Sequence, residues 1–362
     1  MKKLRVKLKE NPYDICISEN SEGLFSKILA PALKEKKVFL VSDSNVYEIY
    51  GKSFSEYLKS VSYFSGDYIF QAGETSKNFH TFECLVRSMV HAGLDRKSIV
   101  LALGGGVCGD IAGFAASTYM RGIDYIQLPT TLLSMVDSSV GGKTAIDIPE
   151  GKNLIGAFHQ PKSVLIDVSK LNSLPEREFS AGMAEVIKYG MILDKDFFYF
   201  IKQNAGKIKD KSGKALTELI SRSCFLKAAV VSEDEKEESL RAILNFGHTF
   251  GHSLEMVSSF NTFLHGEAVA LGMLMACELG VNLELVKKDI TIELENLLKE
   301  FHLPVRIGMN IDPENIYQAM FADKKTKSGK INFVVPERDI GKIRIISGIP
   351  KDAVIRAIEA YL

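Results

Sequence analysis

Side chains able to hold a metal are concentrated in Leu244-Asn245-Phe246-Gly247-His248-Thr249-Phe250-Gly251-His252, followed by Leu264-His265-Gly266-Glu267. His248 and His252 are four apart, so a helix sets them on one face, and a turn could return His265 to it. An i,i+4 histidine pair is also a common surface or core pair, and this one brings no carboxylate of its own. Ala181-Gly182-Met183-Ala184-Glu185-Val186-Ile187-Lys188-Tyr189-Gly190 is apolar except for Glu185 and Lys188, spaced as an intrahelical ion pair. The alternative joins Glu185 to His248 and His265 as a two-histidine, one-carboxylate zinc site with positions open for substrate. Lys227, Arg241 and Asn245 then add positive charge and an amide. Arg241 lies two turns before His248 if the helix extends that far back.

A second group of residues suits anions. Gly104-Gly105-Gly106-Val107-Cys108-Gly109-Asp110 follows an apolar strand and precedes a small-residue helix. Such a turn lets backbone N–H groups approach a pyrophosphate, although tight turns also use glycine for geometry alone. Asp43 and Asn45 could bind a ribose or cap a helix; Glu74 and Lys77 could face a ligand or form a solvated pair; Thr130 and Thr131 could do either. All follow strand ends, and together they favour a dinucleotide. Next come Asp137-Ser138-Ser139-Val140-Gly141-Gly142-Lys143-Thr144 and Lys152-Asn153. A phosphate-binding P-loop is excluded, because its first glycine would fall at Asp137. The stretch reads as a flexible turn whose lysines suit phosphate or carboxylate and whose Asp137 suits hydroxyls.

These groups need positioning elements. Alternation over residues 4–9 predicts an edge strand, and apolar strands are expected at 37–43, 68–70, 98–103 and 125–129, with helices between them. That pattern is an α/β N-terminal, Rossmann-like nucleotide-binding domain. Beyond Leu174-Pro175 helical periodicity dominates 178–202, 213–233, 245–259, 265–282 and 288–301, with a late hairpin near 331–346 and a C-terminal helix. Two domains are expected: residues 1–175, suited to a dinucleotide, and residues 176–362, mostly α-helical, carrying the candidate metal and substrate residues. A chain of 362 residues is long for one core. Lysine plus arginine equal aspartate plus glutamate at 45 each, so no global field favours nucleic acid or an anionic membrane. Five scattered cysteines without CxxC spacing predict reduced thiols, and no apolar run is long enough for a bilayer. A cytoplasmic protein is expected.

Taken in order, Gly104–Asp110, Ser117-Thr118-Tyr119-Met120-Arg121-Gly122, Pro129–Leu133, Asp137–Thr144, Lys152-Asn153, Glu185–Lys188, Leu244–His252 and His265-Gly266-Glu267 resemble the 3-dehydroquinate synthase family of sugar-phosphate cyclases. The resemblance runs from about residue 40 to about 335. It implies conversion of 3-deoxy-D-arabino-heptulosonate 7-phosphate to 3-dehydroquinate and phosphate, a shikimate-pathway step, with tightly held NAD and zinc or cobalt. It also implies that Glu185, His248 and His265 are the ligands and that His252 faces substrate. Asp137, Lys143, Asn153, Lys188, Lys227, Arg241 and Asn245 resemble the substrate-contacting set. Arg121 resembles an arginine lent by a neighbouring subunit, implying a homodimer, and Lys324 or Lys325 is expected to join it at the phosphate. Competing expectations are a polyol dehydrogenase of the glycerol type, a sister cyclase, and a non-catalytic NAD-binding sensor.

Overall fold

The computed structural model describes residues 1–258, 262–322 and 331–362, which form two compact units. The first comprises Met1–Leu174 with Leu216–Lys236, the second Pro175–Ala215 with Glu237–Leu362.

The first unit contains strands β1 (Lys2–Val6), β2 (Tyr13–Ser18), β3 (Lys37–Asp43), β4 (Tyr63–Phe70), β5 (Ile99–Gly104), β6 (Asp124–Pro129), β7 (Lys143–Ile148), β8 (Gly151–Phe158) and β9 (Ser163–Asp167). Seven form one sheet in the order β1-β2-β9-β6-β5-β3-β4, parallel throughout except where β1 runs against β2. Every residue of β5 is buried, as expected of a parallel strand covered on both faces. After β3 the chain moves outward to β4 and then returns to β5 on the other side of β3. The strand order therefore reverses between β3 and β5, and the crevice beyond their carboxyl ends is the place for a ligand in such sheets. Helices α1 (Lys52–Val61), α2 (Phe79–His91) and α3 (Gly106–Thr118) join these strands.

Residues 137–144 are more ordered than a flexible turn. Gly141 (φ 104°) and Gly142 (φ 66°) are buried, and Lys143 opens β7, which pairs with β8 as an antiparallel hairpin. Gly113 of α3 makes room for it, since a Cβ there would stand 2.5 Å from Thr144 Cγ2. Leu216–Lys236, expected with the helical half, belongs to the first unit. Within that unit Cys224 Sγ donates to the Met135 carbonyl (3.3 Å), and Lys227 Nζ donates to the Asp137 carbonyl (2.7 Å) and carboxylate (2.6 Å).

The second unit is mostly helical: α4 (Glu176–Leu193), α5 (Lys195–Gln203), α6 (His248–Val257), α7 (His265–Asn282), α8 (Lys288–Glu300) and α9 (Lys351–Glu359), with the hairpin β10 (Asn332–Glu337) and β11 (Asp339–Ser347). Helix α7 is apolar nearly all round and mostly buried, which marks it as the central helix. Glycines let its neighbours come close: a Cβ on Gly266 would lie 1.9 Å from the Ala181 carbonyl oxygen of α4, and one on Gly272 would lie 2.0 Å from that of Gly247. The helix bearing His248 does not reach back to Arg241. Gly247 has φ 80°, a left-handed conformation that breaks the helix, so Arg241 sits on a separate 3-10 turn, Leu240–Asn245.

Candidate active site

Glu185, His248 and His265 each offer a donor atom, and the three lie within 4.8 Å of one another. Glu185 is on α4, His248 opens α6, and His265 opens α7. His248 Nε2 is 3.6 Å from Glu185 Oε1, and His265 Nε2 is 3.8 Å from the same oxygen. Glu185 is fully buried, and its Oε1 has no hydrogen-bond partner among the described residues. Lys188 Nζ forms an ion pair with Oε2, so the intrahelical pair read from the sequence exists. It leaves Oε1 facing two imidazoles. A buried carboxylate oxygen without a donor is costly, and a divalent cation satisfies it together with both rings. His248 Nδ1 lies 3.1 Å from the Phe246 carbonyl, which selects the tautomer protonated at Nδ1.

His265 is anchored by its helix terminus. The Glu267 carboxylate accepts the Leu264 N–H (2.8 Å) and receives both Nε (2.7 Å) and Nη2 (2.7 Å) of Arg177 from α4. Asn245 Nδ2 donates to Glu237 (2.9 Å), Arg241 is buried, and the His252 ring centroid lies 5.3 Å from that of His248.

In the first unit the cradle is the β5–α3 turn. Gly105 caps α3 without any side-chain acceptor, so the first N–H groups of a 13-residue helix stay available to an anion. A Cβ at Gly105 would press on Thr131 Cγ2 and one at Gly106 on Ser138 Oγ, both at 3.2 Å. Val107 and Asp110 follow in the first turns of α3, and Thr130 Oγ1 is buried without a hydrogen-bond partner among the described residues. Asp43 is a helix cap, accepting the N–H groups of Asn45 and Val46 at 3.0 Å each. These residues, and the turn holding Glu74 and Lys77, lie at or just beyond the carboxyl ends of β3, β4, β5 and β6.

Lys77 is not a solvated partner of Glu74. It is buried, and its Nζ donates to Asp110 Oδ2 (2.6 Å) and Asn153 Oδ1 (2.5 Å). Asn153 has φ 53°, and its N–H donates to Asp147 Oδ1 at 2.7 Å. Burial would lower the Lys77 ammonium, but the Asp110 and Glu74 carboxylates outweigh it and hold it above its ordinary range. Burial pushes the Asp110 carboxyl up, with Lys77 pulling against that shift.

Two family profiles cover this ground: one described as 3-dehydroquinate synthase N-terminal matches residues 67–181, and one described as 3-dehydroquinate synthase C-terminal matches residues 182–326. A 3-dehydroquinate synthase from Thermodesulfovibrio yellowstonii is 46% identical over 345 residues, 95% of this chain and 96% of that one. The chain belongs to the 3-dehydroquinate synthase family. Its fold extends to relatives of that family. A 2-deoxy-scyllo-inosose synthase complexed with carbaglucose-6-phosphate, NAD+ and Co2+ superposes with TM-score 0.90 at 27% identity over 100% of both chains. A 2-epi-5-epi-valiolone synthase from Streptomyces hygroscopicus, with NAD+ and Zn2+ bound, gives 0.89 at 28% over 98% of both.

The remaining residues singled out from the sequence differ in exposure. Lys143 and Arg121 are exposed and Lys152 is half-buried. Arg121 (φ 72°) precedes β6, whereas Thr130 follows it, so the strand's length separates the two. Lys324 and Lys325 lie outside the described residues. Sequence reasoning missed Asp147 and Glu255. Glu255 had a readable signal, three residues after His252 on the same helical face.

Proposed function

We infer that this chain catalyses the reaction of its family: 3-deoxy-D-arabino-heptulosonate 7-phosphate is converted to 3-dehydroquinate and inorganic phosphate. The sequence is transient oxidation of a secondary alcohol, elimination of phosphate, re-reduction of the ketone and intramolecular aldol closure. The enzyme is a phosphate-eliminating carbon–oxygen lyase that uses NAD and a divalent metal. The observation that carries this reading is the 46% identity over 95% of the chain, against 27% and 28% for the inosose and valiolone synthases. A polyol dehydrogenase is disfavoured on the same ground.

Residues 1–175 form the NAD-binding domain and 176–362 the metal- and substrate-binding domain, with Lys227 contributed by the segment that returns to the first unit. Glu185, His248 and His265 would hold the ion. The N–H groups after Gly105 and Gly106 would carry the pyrophosphate, Asp43 and Asn45 the ribose, and Thr130, Thr131, Lys77 and Lys152 the rest of the cofactor. When bound, NAD would take a hydride from the substrate's carbinol carbon and later return it, and the ion would polarise the hydroxyl on that carbon, easing loss of its proton. The ketone so formed acidifies the neighbouring C–H; that proton departs as the C–O bond to phosphate breaks. Lys143 and Asn153 would stabilise the charge gathering on the leaving phosphate. Arg121 would join them from a second copy in a homodimer, and Lys324 would contribute a further cation. Asp137, held by Lys227, would orient substrate hydroxyls, and Lys188, Arg241, Asn245 and His252 would contact the remaining polar groups. The proposed setting is the cytoplasm, where the five free cysteines stay reduced.

The test is phosphate release from the heptulosonate 7-phosphate with NAD far below substrate. Many phosphates per NAD without accumulating NADH support the synthase; NADH formed from glycerol without phosphate release supports the dehydrogenase.

A further inference from the structure

A second carboxylate stands behind His265. Glu255, on α6, is buried, and its Oε1 lies 3.5 Å from His265 Nδ1, while Nε2 of the same ring faces Glu185 Oε1 at 3.8 Å. The imidazole therefore sits between two buried carboxylates, one at each nitrogen. A neutral ring carries one proton. If Nε2 gives its lone pair to a cation shared with Glu185, the proton must sit on Nδ1, where Glu255 is placed to accept it. His248 shows the same division of labour, with Nδ1 at the Phe246 carbonyl and Nε2 toward Glu185. One ring is held by a backbone carbonyl and the other by a carboxylate.

We propose that Glu255 is a positioning residue of the metal centre: it fixes the tautomer and orientation of His265 and raises the basicity of its Nε2. The inference rests on the reading that Glu185, His248 and His265 hold the ion. His252, Glu255 and His265 also offer donor atoms within 4.8 Å of one another. A second ion there would compete for the His265 Nδ1 position that a neutral, Nε2-coordinating ring keeps protonated. The geometry thus favours Glu255 as a proton acceptor over a ligand.

The experiment strips the full-length protein of metal and titrates Co2+ against a competing chelator in wild type, Glu255→Gln, Glu255→Leu and His265→Ala. Circular dichroism and metal-free melting temperature serve as folding controls. Wild type should take one ion, Glu255→Gln should bind roughly tenfold more weakly with a shifted visible Co2+ spectrum, and Glu255→Leu about 10- to 100-fold more weakly. If Glu255→Leu does not fold, the Gln variant alone decides. Wild-type affinity and spectrum in the Gln variant would overturn the proposal, as would a second ion in wild type that is lost with Glu255. Undiminished binding by His265→Ala would instead overturn the ligand assignment itself, which separates the two failures.

Discussion

Gly266 and Ala181 bring α7 and α4 together so closely that a single methyl group on Gly266 would lie 1.9 Å from the Ala181 carbonyl oxygen. The contact is backbone on backbone, so no side chain can swing away. It also adjoins His265 and lies one helical turn before Glu185, so the spacing of those two side chains depends on it. Gly266→Ala is expected to force the helices apart, costing about 1–3 kcal/mol or more. Metal affinity should fall with stability, although no donor atom is removed. Calorimetry and a chelator titration measure the two losses; a variant with wild-type affinity would show that the close packing is unrelated to the site.

Lys77 ties three segments of the first unit together through Asp110 and Asn153. Lys77→Met leaves the Asp110 carboxylate without its ammonium, a loss of about 2–4 kcal/mol once partial exposure of Asp110 is considered. The pH dependence has a definite sign. Burial already raises the Asp110 pKa in the folded state, and removing Lys77 raises it further. A carboxyl that binds its proton more tightly when folded makes stability fall as pH rises through that pKa. The deficit should therefore be larger at about pH 8 than at about pH 5, and Asp110→Asn in the Lys77→Met background should recover part of it. Denaturant unfolding at both pH values checks this; an equal deficit would contradict it.

The first turn of α3 contains Cys108, and its thiol is protected. It is fully buried, its Sγ donates to the Val41 carbonyl at 3.4 Å, and burial pushes its pKa well above the ordinary thiol range. Burial likewise raises Cys16 and Cys277, and pushes Cys224 up to about 12. Cys84 alone is not buried. A thiol reagent at neutral pH should modify Cys84 quickly in the native protein and the other four only after unfolding. Rapid modification of Cys108 in the folded enzyme would contradict this.

His252 and His265 are expected to separate metal binding from turnover. His265→Ala should lose both, whereas His252→Ala should keep its ion and lose most of its rate. Metal content by mass spectrometry together with the phosphate assay distinguishes them. Loss of the ion from His252→Ala would move His252 into the ligand set.

The elements legible in the sequence were those whose pattern is local. β3, β5 and β6 are apolar runs ending in turn residues, and α7 matches its periodic stretch from His265 to Asn282. Pairings over long separations were not legible: β2 and β9 share a register from Asp14–Ser163 to Ser18–Asp167, which nothing in either segment announces. β8 carries two glycines and no clean alternation, so its hairpin with β7 was hidden. The placement of Arg241 was misjudged because Gly247 breaks the helix with a positive φ, which composition alone does not reveal. In the Glu185, His248 and His265 cluster the residue types were readable, because three histidines and an isolated carboxylate stand out in apolar segments. Glu255 was less visible, since its significance depends on facing the far side of a ring on another helix.

The proposed chemistry depends on Glu185, His248 and His265 forming one metal centre. Crystals grown with Co2+ and NAD, measured at the cobalt absorption edge, locate the ion directly. The prediction is a single anomalous peak at about 2.0–2.2 Å from Glu185 Oε1, His248 Nε2 and His265 Nε2. A peak at His252, Glu255 and His265 instead, or none in the presence of saturating Co2+, would contradict it.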